Sequence, residues 1–326
     1  MSDLNPAELL VETKKQMQSM HYAYNTQRSY IEWVKRFLTQ VDLSNGLMPA
    51  DRAIESFLKH LTETAVVSTS TSNQARNALV FFYKRVLRQP LDNNINSIKN
   101  NKQKKLPVIL SHDEMTLVLK QLSGTTQIIV KLLYGSGLRI TEAIRLRIGD
   151  IDFAQMQLIV RSADGLNQRV TPLSQNLLPA LNAHINKIEQ LHRQDLAKGY
   201  GANYRSDVLE RNEIELSHDW SWQYLFPSRN LSFDSLANTQ RRQHIDQSVV
   251  NKAIKNATNK VSIDKKVSAH TFRHSFATHL LQKGVAIRRL QELMGHNNIE
   301  TTKIYAQVLQ QELVRITSPL DDLILS

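Results

Sequence analysis

Apolar residues recur at helical spacing through the first hundred positions. Tyr22, Tyr30, Trp33, Val34 and Phe37 fall on one stripe, and Phe57, Leu58 and Leu61 on a second. Ala75, Ala78, Leu79, Phe82, Tyr83 and Val86 form a third, entered through a Ser/Thr-rich stretch from Ser68 to Ser72 that suits a loop and a helix cap. Core packing is the simple reading of these aromatics, ahead of stacking on bases. After Pro90 the chain turns polar, LDNNINSIKNNKQKK, with Lys99, Lys102, Lys104 and Lys105 crowded at its end. This predicts a helical domain over 1–98, a basic linker over 99–106 and a second domain over 107–326.

The second part opens on Ser111-His112-Asp113-Glu114, a capping-box pattern that predicts a helix start. A further helix is expected over Gln127 to Tyr134, broken by Gly135-Ser136-Gly137 before another that begins near Leu138. From Asp152 the pattern becomes strand-like. Leu158 to Val160 and Arg169 to Thr171, separated by Asp164-Gly165, predict a small antiparallel hairpin. Helical patterning resumes near Asn176, gives way to a polar, aromatic-rich stretch from His192 to Trp222, and returns from Ser248. The fold class is therefore mainly α with one small antiparallel sheet.

Composition narrows the chemistry. The 326 residues carry 41 Lys and Arg against 30 Asp and Glu, a net charge of +11 shared about evenly by the parts on either side of Lys105. Such a balance favours an anionic partner, most simply nucleic acid, and the basic strap between two basic domains suggests a clamp, with a merely solvated linker the plain alternative. The absence of Cys excludes disulfides, thiolate metal sites and Cys nucleophiles and is compatible with a reducing compartment. No apolar run reaches the roughly 18 residues that span a bilayer, and the amino-terminal stretch bears acids where a signal peptide would be apolar; a cytoplasmic protein without a membrane partner is expected.

Five residues gain weight together: Arg139 in GSGLRITEA, His270 and Arg273 in HTFRHSFATHLL, His296 in LMGH, and Tyr305 in TTKIYAQ. Each alone has an ordinary structural explanation. His270 and Arg273 stand three apart on a predicted helix, so both can reach one anion. His296 directly follows Gly295, where a helix end can hold an imidazole in place. Two guanidiniums, two imidazoles and a phenol are what phosphodiester transesterification needs without a metal or other cofactor. The four-residue spacing of His270 and His274 also invites a zinc reading, but Thr271 stands where the Glu of HExxH should be and Arg273 would set a cation beside the metal.

On these strings, LLYGSGLRITEAIRLRIGDID, HTFRHSFATHLL and LMGH with Tyr305 nine residues on, the second domain resembles the tyrosine recombinase (phage integrase) family, and YNTQRSYIEWVKRF resembles that family's helical, SAM-like core-binding domain. The resemblance implies a C-shaped clamp on DNA and a tetramer on two sites. It makes Tyr305 the residue that forms a 3′-phosphotyrosine, Arg139 and Arg273 the binders of the scissile phosphate, and His270 and His296 their assistants. Glu142 is expected to orient Arg139, with a plain surface acid as the alternative; His274 and His279 are expected to be structural. The segment LHRQDLAKGYGANY, then WSWQYLFPS and RRQHID, resembles the insertion of integron integrases, here about 190–245, which recognises bases pushed out of folded single-stranded sites. That resemblance implies DNA contacts for Trp220, Trp222, Pro227, Gln243 and His244, beside the basic residues Lys99, Lys102, Lys104 and Lys105. Packing of the Trp residues onto the domain is the alternative. The terminal Leu320, Leu323, Ile324 and Leu325 offer a small apolar hook for a neighbouring subunit or for an internal helix.

One position departs from the family pattern. The resemblance calls for a Lys in the hairpin turn, the acid that protonates the departing 5′ oxygen, but the stretch reads RSADGLNQR: Asp164 occupies its place, Asn167 takes the next basic position and only Arg169 matches. No Lys stands between Lys131 and Lys187. A carboxylate there adds like charge beside the phosphate, and Arg161 or Arg169 holds its proton too tightly to serve. Alternatives follow: a DNA-binding relative with impaired catalysis, or a type IB topoisomerase-like enzyme, which the insertion argues against.

Overall fold

The computed structural model describes residues 5–20, 22, 24–40, 49–63, 67–91, 106–161, 168–202, 218–234, 239–296 and 298–312. The chain divides into two compact units, 1–104 and 105–326, each with its own apolar core. Lys99, Lys102, Lys104, Lys105, Asp164, Asn167, Leu320, Leu323, Ile324 and Leu325 lie outside the described residues.

The first unit is built from α1 (Pro6–Ser19), α2 (Tyr24–Gln40), α3 (Ala50–Glu63) and α4 (Thr69–Phe81). Ser68 caps α4 by accepting from the Thr71 amide at 3.1 Å, as the Ser/Thr-rich entry predicts. The three predicted stripes meet in one core, where Phe37 lies edge-on to Phe57 with ring centroids 5.4 Å apart. Tyr22 sits ahead of α2 rather than within it, yet its ring still packs on Tyr30 and Phe81. Helix α1 is absent from the sequence reading. Asn5 caps it and Pro6 fills its first position, while Leu9, Thr13 and Met17 form its buried stripe.

In the second unit the capping box closes α5 (His112–Lys120) as predicted: Ser111 accepts from the Glu114 amide, and Glu114 accepts from the Ser111 amide at 2.8 Å. Next comes α6 (Gly124–Gly135). Its Ile128, Ile129, Val130, Leu132 and Leu133 are all buried, which makes it the central helix of the unit. After the Gly135-Ser136-Gly137 break comes the single turn and a half of α7 (Ile140–Ile144). A three-stranded antiparallel sheet follows, β1 (Ile151–Asp152), β2 (Gln157–Arg161) and β3 (Gln168–Pro172), in that order, with Ile159 opposite Val170. The hairpin is the predicted one; β1, two residues long, gives no periodicity to read.

Helix α8 (Leu178–Ala197) runs past His192, where the sequence reading starts a polar stretch, so the expected insertion boundary near 190 falls inside a helix. The reason is a buried polar face: His192 and Asp195 point inward with Leu181 and Ile188, and Asp195 takes both Nε and Nη2 of Arg242, at 2.5 and 2.8 Å. A short hairpin of β4 (Ser232–Asp234) and β5 (Thr239–Arg241) leads to α9 (Gln247–Lys260), α10 (Ala269–Gln282), α11 (Ile287–Met294) and α12 (Glu300–Glu312). Among the described residues no helix is long and apolar enough to cross a membrane.

Candidate active site

The site forms where the starts of α7 and α10 meet the end of α11. Arg139 is the N-cap of α7, so the helix begins at the residue that carries the guanidinium. The Glu142 carboxylate accepts from the Arg139 amide at 2.7 Å and from its Nη1 at 2.8 Å. Arg139 Nη2 reaches the Gly295 carbonyl at 3.1 Å. Glu142 also receives both terminal nitrogens of Arg169, at 2.9 and 2.7 Å, and Arg273 Nη1 lies 3.6 Å from it. Burial would raise the Glu142 pKa, but the hydrogen bonds and charge of Arg169, then of Arg139, outweigh it and hold the group at about 2.

One carboxylate thus serves three guanidiniums. The side chains of Arg169 and Arg273 are 16% and 4% exposed, whereas Arg139 is 40% exposed and faces solvent. Arg273 donates to the carbonyls of Gly137 and Met294. Burial, then the charge of Arg139, lowers its pKa to about 10, so it stays charged at neutral pH. Gly137 is positioned for this contact by a left-handed backbone, φ 63°, and a Cβ there would lie 2.4 Å from two ring atoms of Phe276.

His296 follows the left-handed Gly295 that ends α11. Its Nε2 lies 3.2 Å from Arg273 Nη2 and its Nδ1 2.9 Å from Thr302 Oγ1. A guanidinium can only donate, so Nε2 accepts and the proton sits on Nδ1. Burial, then Arg273 and Arg139, pushes the His296 pKa down to about 4, leaving the ring neutral.

Tyr305 projects from α12 into a small cluster with Phe276, Ala277, Leu290 and Met294 and is 3% exposed. Its ring lies nearly parallel to that of His296, centroids 6.3 Å apart. Burial raises its pKa against the opposing pull of Arg273 and Arg139. Arg139, Glu142, Arg273, His296 and Tyr305 therefore come together. His270 shares α10 with Arg273 but is exposed, and its ring neighbour is His274 at 6.3 Å. Among the described residues no three His, Asp or Glu side chains converge as a metal would require.

Two members of the site have no site role in the sequence reading. Arg169 appears there only as a matched letter; its register on β3, one strand from β2, and its Nε bond to the Leu293 carbonyl at 2.9 Å bring it under Glu142. His274, read as structural, has its Nδ1 2.9 Å from the Tyr305 phenol oxygen. Its place one residue after Arg273 was the available signal.

The residues 99–312 match the model of the phage integrase family, and residues 9–93 that of the phage integrase N-terminal SAM-like domain. The chain belongs to the phage integrase family. It is similar to an integrase/recombinase of Escherichia coli, 33% identical over 98% of this chain and 95% of the relative. It also matches a tyrosine recombinase of Thermosipho africanus, 29% identical over 89% of this chain and 91% of the relative. In fold it resembles the integrase of the Tn1549 transposon in complex with transposon right end DNA, with a TM-score of 0.62 and 19% identity over 97% of this chain and all of the other.

Several residues between 218 and 246 of this phage integrase family member pack near Tyr224. Trp220 lies against His192, centroids 5.7 Å apart, and lines a small cavity with Tyr224 and Pro227. Trp222 is half-buried, with the Arg147 guanidinium 4.4 Å from its ring centre and that of Arg161 at 5.7 Å. Pro227 bridges to His244, whose ring meets Tyr224 edge-on at 5.3 Å. The Gln243 carbonyl accepts from the Ser228 amide.

Proposed function

We propose that this phage integrase family member is a site-specific DNA recombinase of the integron integrase type, which cleaves and rejoins strands through Tyr305. The supporting observation is the charge imbalance beside the phenol: three guanidiniums share one carboxylate, and the most exposed of them, Arg139, faces outward. A phosphodiester completes such a cluster. Arg139 and Arg273 hold its nonbridging oxygens and favour the transition state, in which negative charge grows on them. The Tyr305 oxygen attacks phosphorus and gives up its proton to solvent, the bond from phosphorus to the 5′ oxygen breaks, that oxygen takes a proton from water as it leaves, and the 3′ phosphate stays on the tyrosine. Attack by another strand's 5′ hydroxyl reverses the step, so the exchange is close to isoenergetic. Glu142 orients Arg139, neutral His296 orients Arg273, and exposed His270 meets the DNA.

The integron reading rests on the insertion strings and on the aromatic group of Trp220, Trp222 and Tyr224 with Pro227, Gln243 and His244, which would contact bases of folded single-stranded sites. Lys99, Lys102, Lys104 and Lys105 would follow the duplex backbone, and a tetramer would join two sites and move cassettes. The test is a nicked DNA substrate that traps the phosphotyrosyl adduct: adduct with the wild type and none with Tyr305→Phe is expected. A wild type that forms no adduct on such DNA overturns the reading.

Asp164 in the place of the hairpin Lys favours a second reading, a DNA-binding relative with impaired cleavage. Protected sites without cut strands would distinguish it.

A further inference from the structure

Among the described residues the Tyr305 phenol oxygen has one side-chain hydrogen-bond partner, His274, which lies in the HTFRHSFATHLL string but has no part in the chemistry that the resemblance implies. His274 Nδ1 stands 2.9 Å from the phenol oxygen, and the two rings lie 5.5 Å apart at 49°. Both groups come from packed helices, α10 and α12, so the contact belongs to the core of the unit. We propose that His274 is a positioning residue for the Tyr305 nucleophile: its Nδ1 accepts a hydrogen bond from the phenol O–H and thereby fixes where the lone pairs of the phenol oxygen face.

The chemistry of the pair supports this direction of donation. Were Nδ1 to carry the proton and donate it, it would occupy a phenol lone pair and blunt the nucleophile. An accepting Nδ1 leaves the lone pairs open and draws electron density toward the oxygen that attacks. Burial, then His270 and Arg273, keeps the His274 pKa down at about 4, so the ring is neutral and has one nitrogen free to accept. The same value excludes His274 as the base that removes the proton outright. Transfer from a phenol whose pKa is raised by burial to so weak an imidazole is steeply uphill. Position, not proton capture, is what this histidine supplies.

The inference rests on Tyr305 being the nucleophile, so its test is arranged in two arms. In the first, covalent adduct is timed on a nicked duplex carrying a 5′-bridging phosphorothiolate, whose sulfur leaves without a proton and makes the missing hairpin Lys irrelevant. At saturating DNA, His274→Leu should form adduct about tenfold more slowly, the worth of one hydrogen bond, with unchanged half-saturating DNA concentration. His274→Asn, whose amide oxygen can accept near the place of Nδ1, should recover most of the rate. Wild-type speed in His274→Leu, or an Asn variant as slow as the Leu one, overturns the proposal. In the second arm, nitrogen NMR of the DNA-free protein reads the His274 ring at neutral pH: an unprotonated Nδ1 is expected, and a protonated Nδ1 overturns the proposal. A wild type that forms no adduct refutes the recombinase reading and the positioning role with it, whereas an adduct-forming wild type with an unslowed Leu variant refutes the positioning role alone.

Discussion

Arg169 is paired with Glu142 through both of its terminal nitrogens, at 2.9 and 2.7 Å, which makes a residue of the hairpin strand the chief partner of the acid that caps α7. The pair is mostly enclosed, with side-chain exposures of 16% and 14%. Removing one member of such a pair leaves the other's charge without compensation, so Glu142→Ala should lose about 3 to 5 kcal/mol of stability. The urea midpoint against the wild type measures this.

The same acid sets an acid limit. Its folded pKa, about 2, lies below the ordinary carboxylate value, so its contribution is complete above the unfolded value near 4.5 and is lost as pH falls through about 2. The stability gap between wild type and Glu142→Gln should therefore be flat from pH 7 to 5 and narrow below pH 4.5. Chemical denaturation across that range reads it, and a gap that stays constant to pH 2 contradicts the pairing.

Gly137→Ala should be costly out of proportion to one methyl group. The added carbon meets the Phe276 ring on a left-handed backbone, and the carbonyl of the same residue anchors Arg273. A loss of about 1 to 3 kcal/mol is expected, with weaker DNA binding beyond what the lower thermal midpoint explains. Filter binding on folded protein separates the two effects.

Asp164→Lys should raise cleavage of an unmodified nicked substrate by about 10² or more and leave DNA affinity within a few-fold, since general acids contribute about 10² to 10⁴ in rate. Equal rates in the two proteins would give the turn another part to play.

Trp222→Ala should weaken binding to a folded single strand with extruded bases far more than binding to a perfect duplex. Paired titrations of the two DNAs check it, and equal losses on both would return Trp222 to a packing role against Arg147.

What the sequence made legible was local. The capping box of Ser111 and Glu114 and the facing runs of β2 and β3 follow from spacings of a few residues, and the structure has them. Helix α1 carries its own signal in the Asn5 cap and Pro6, which the stripes that begin at Tyr22 leave unused. The burial of His192 and Asp195 was not legible, because Asp195 depends on Arg242 and His192 on the His218 carbonyl, both far along the chain. Likewise, no spacing shows that Arg169 would share Glu142 with Arg139, or that His274 would meet Tyr305: each is a contact between elements brought together only by the fold.

Gly295 carries a consequence for anyone who would retarget this protein. A Cβ there would press within 3.0 to 3.2 Å of the Arg169 side chain, on a backbone with φ 59°, and the residue's carbonyl already takes Arg139. In a library that diversifies the DNA-facing surface, any side chain at this junction of α11 and His296 must both displace Arg169 and adopt a left-handed backbone. Survivors of such a selection should keep hydrogen alone at that carbon.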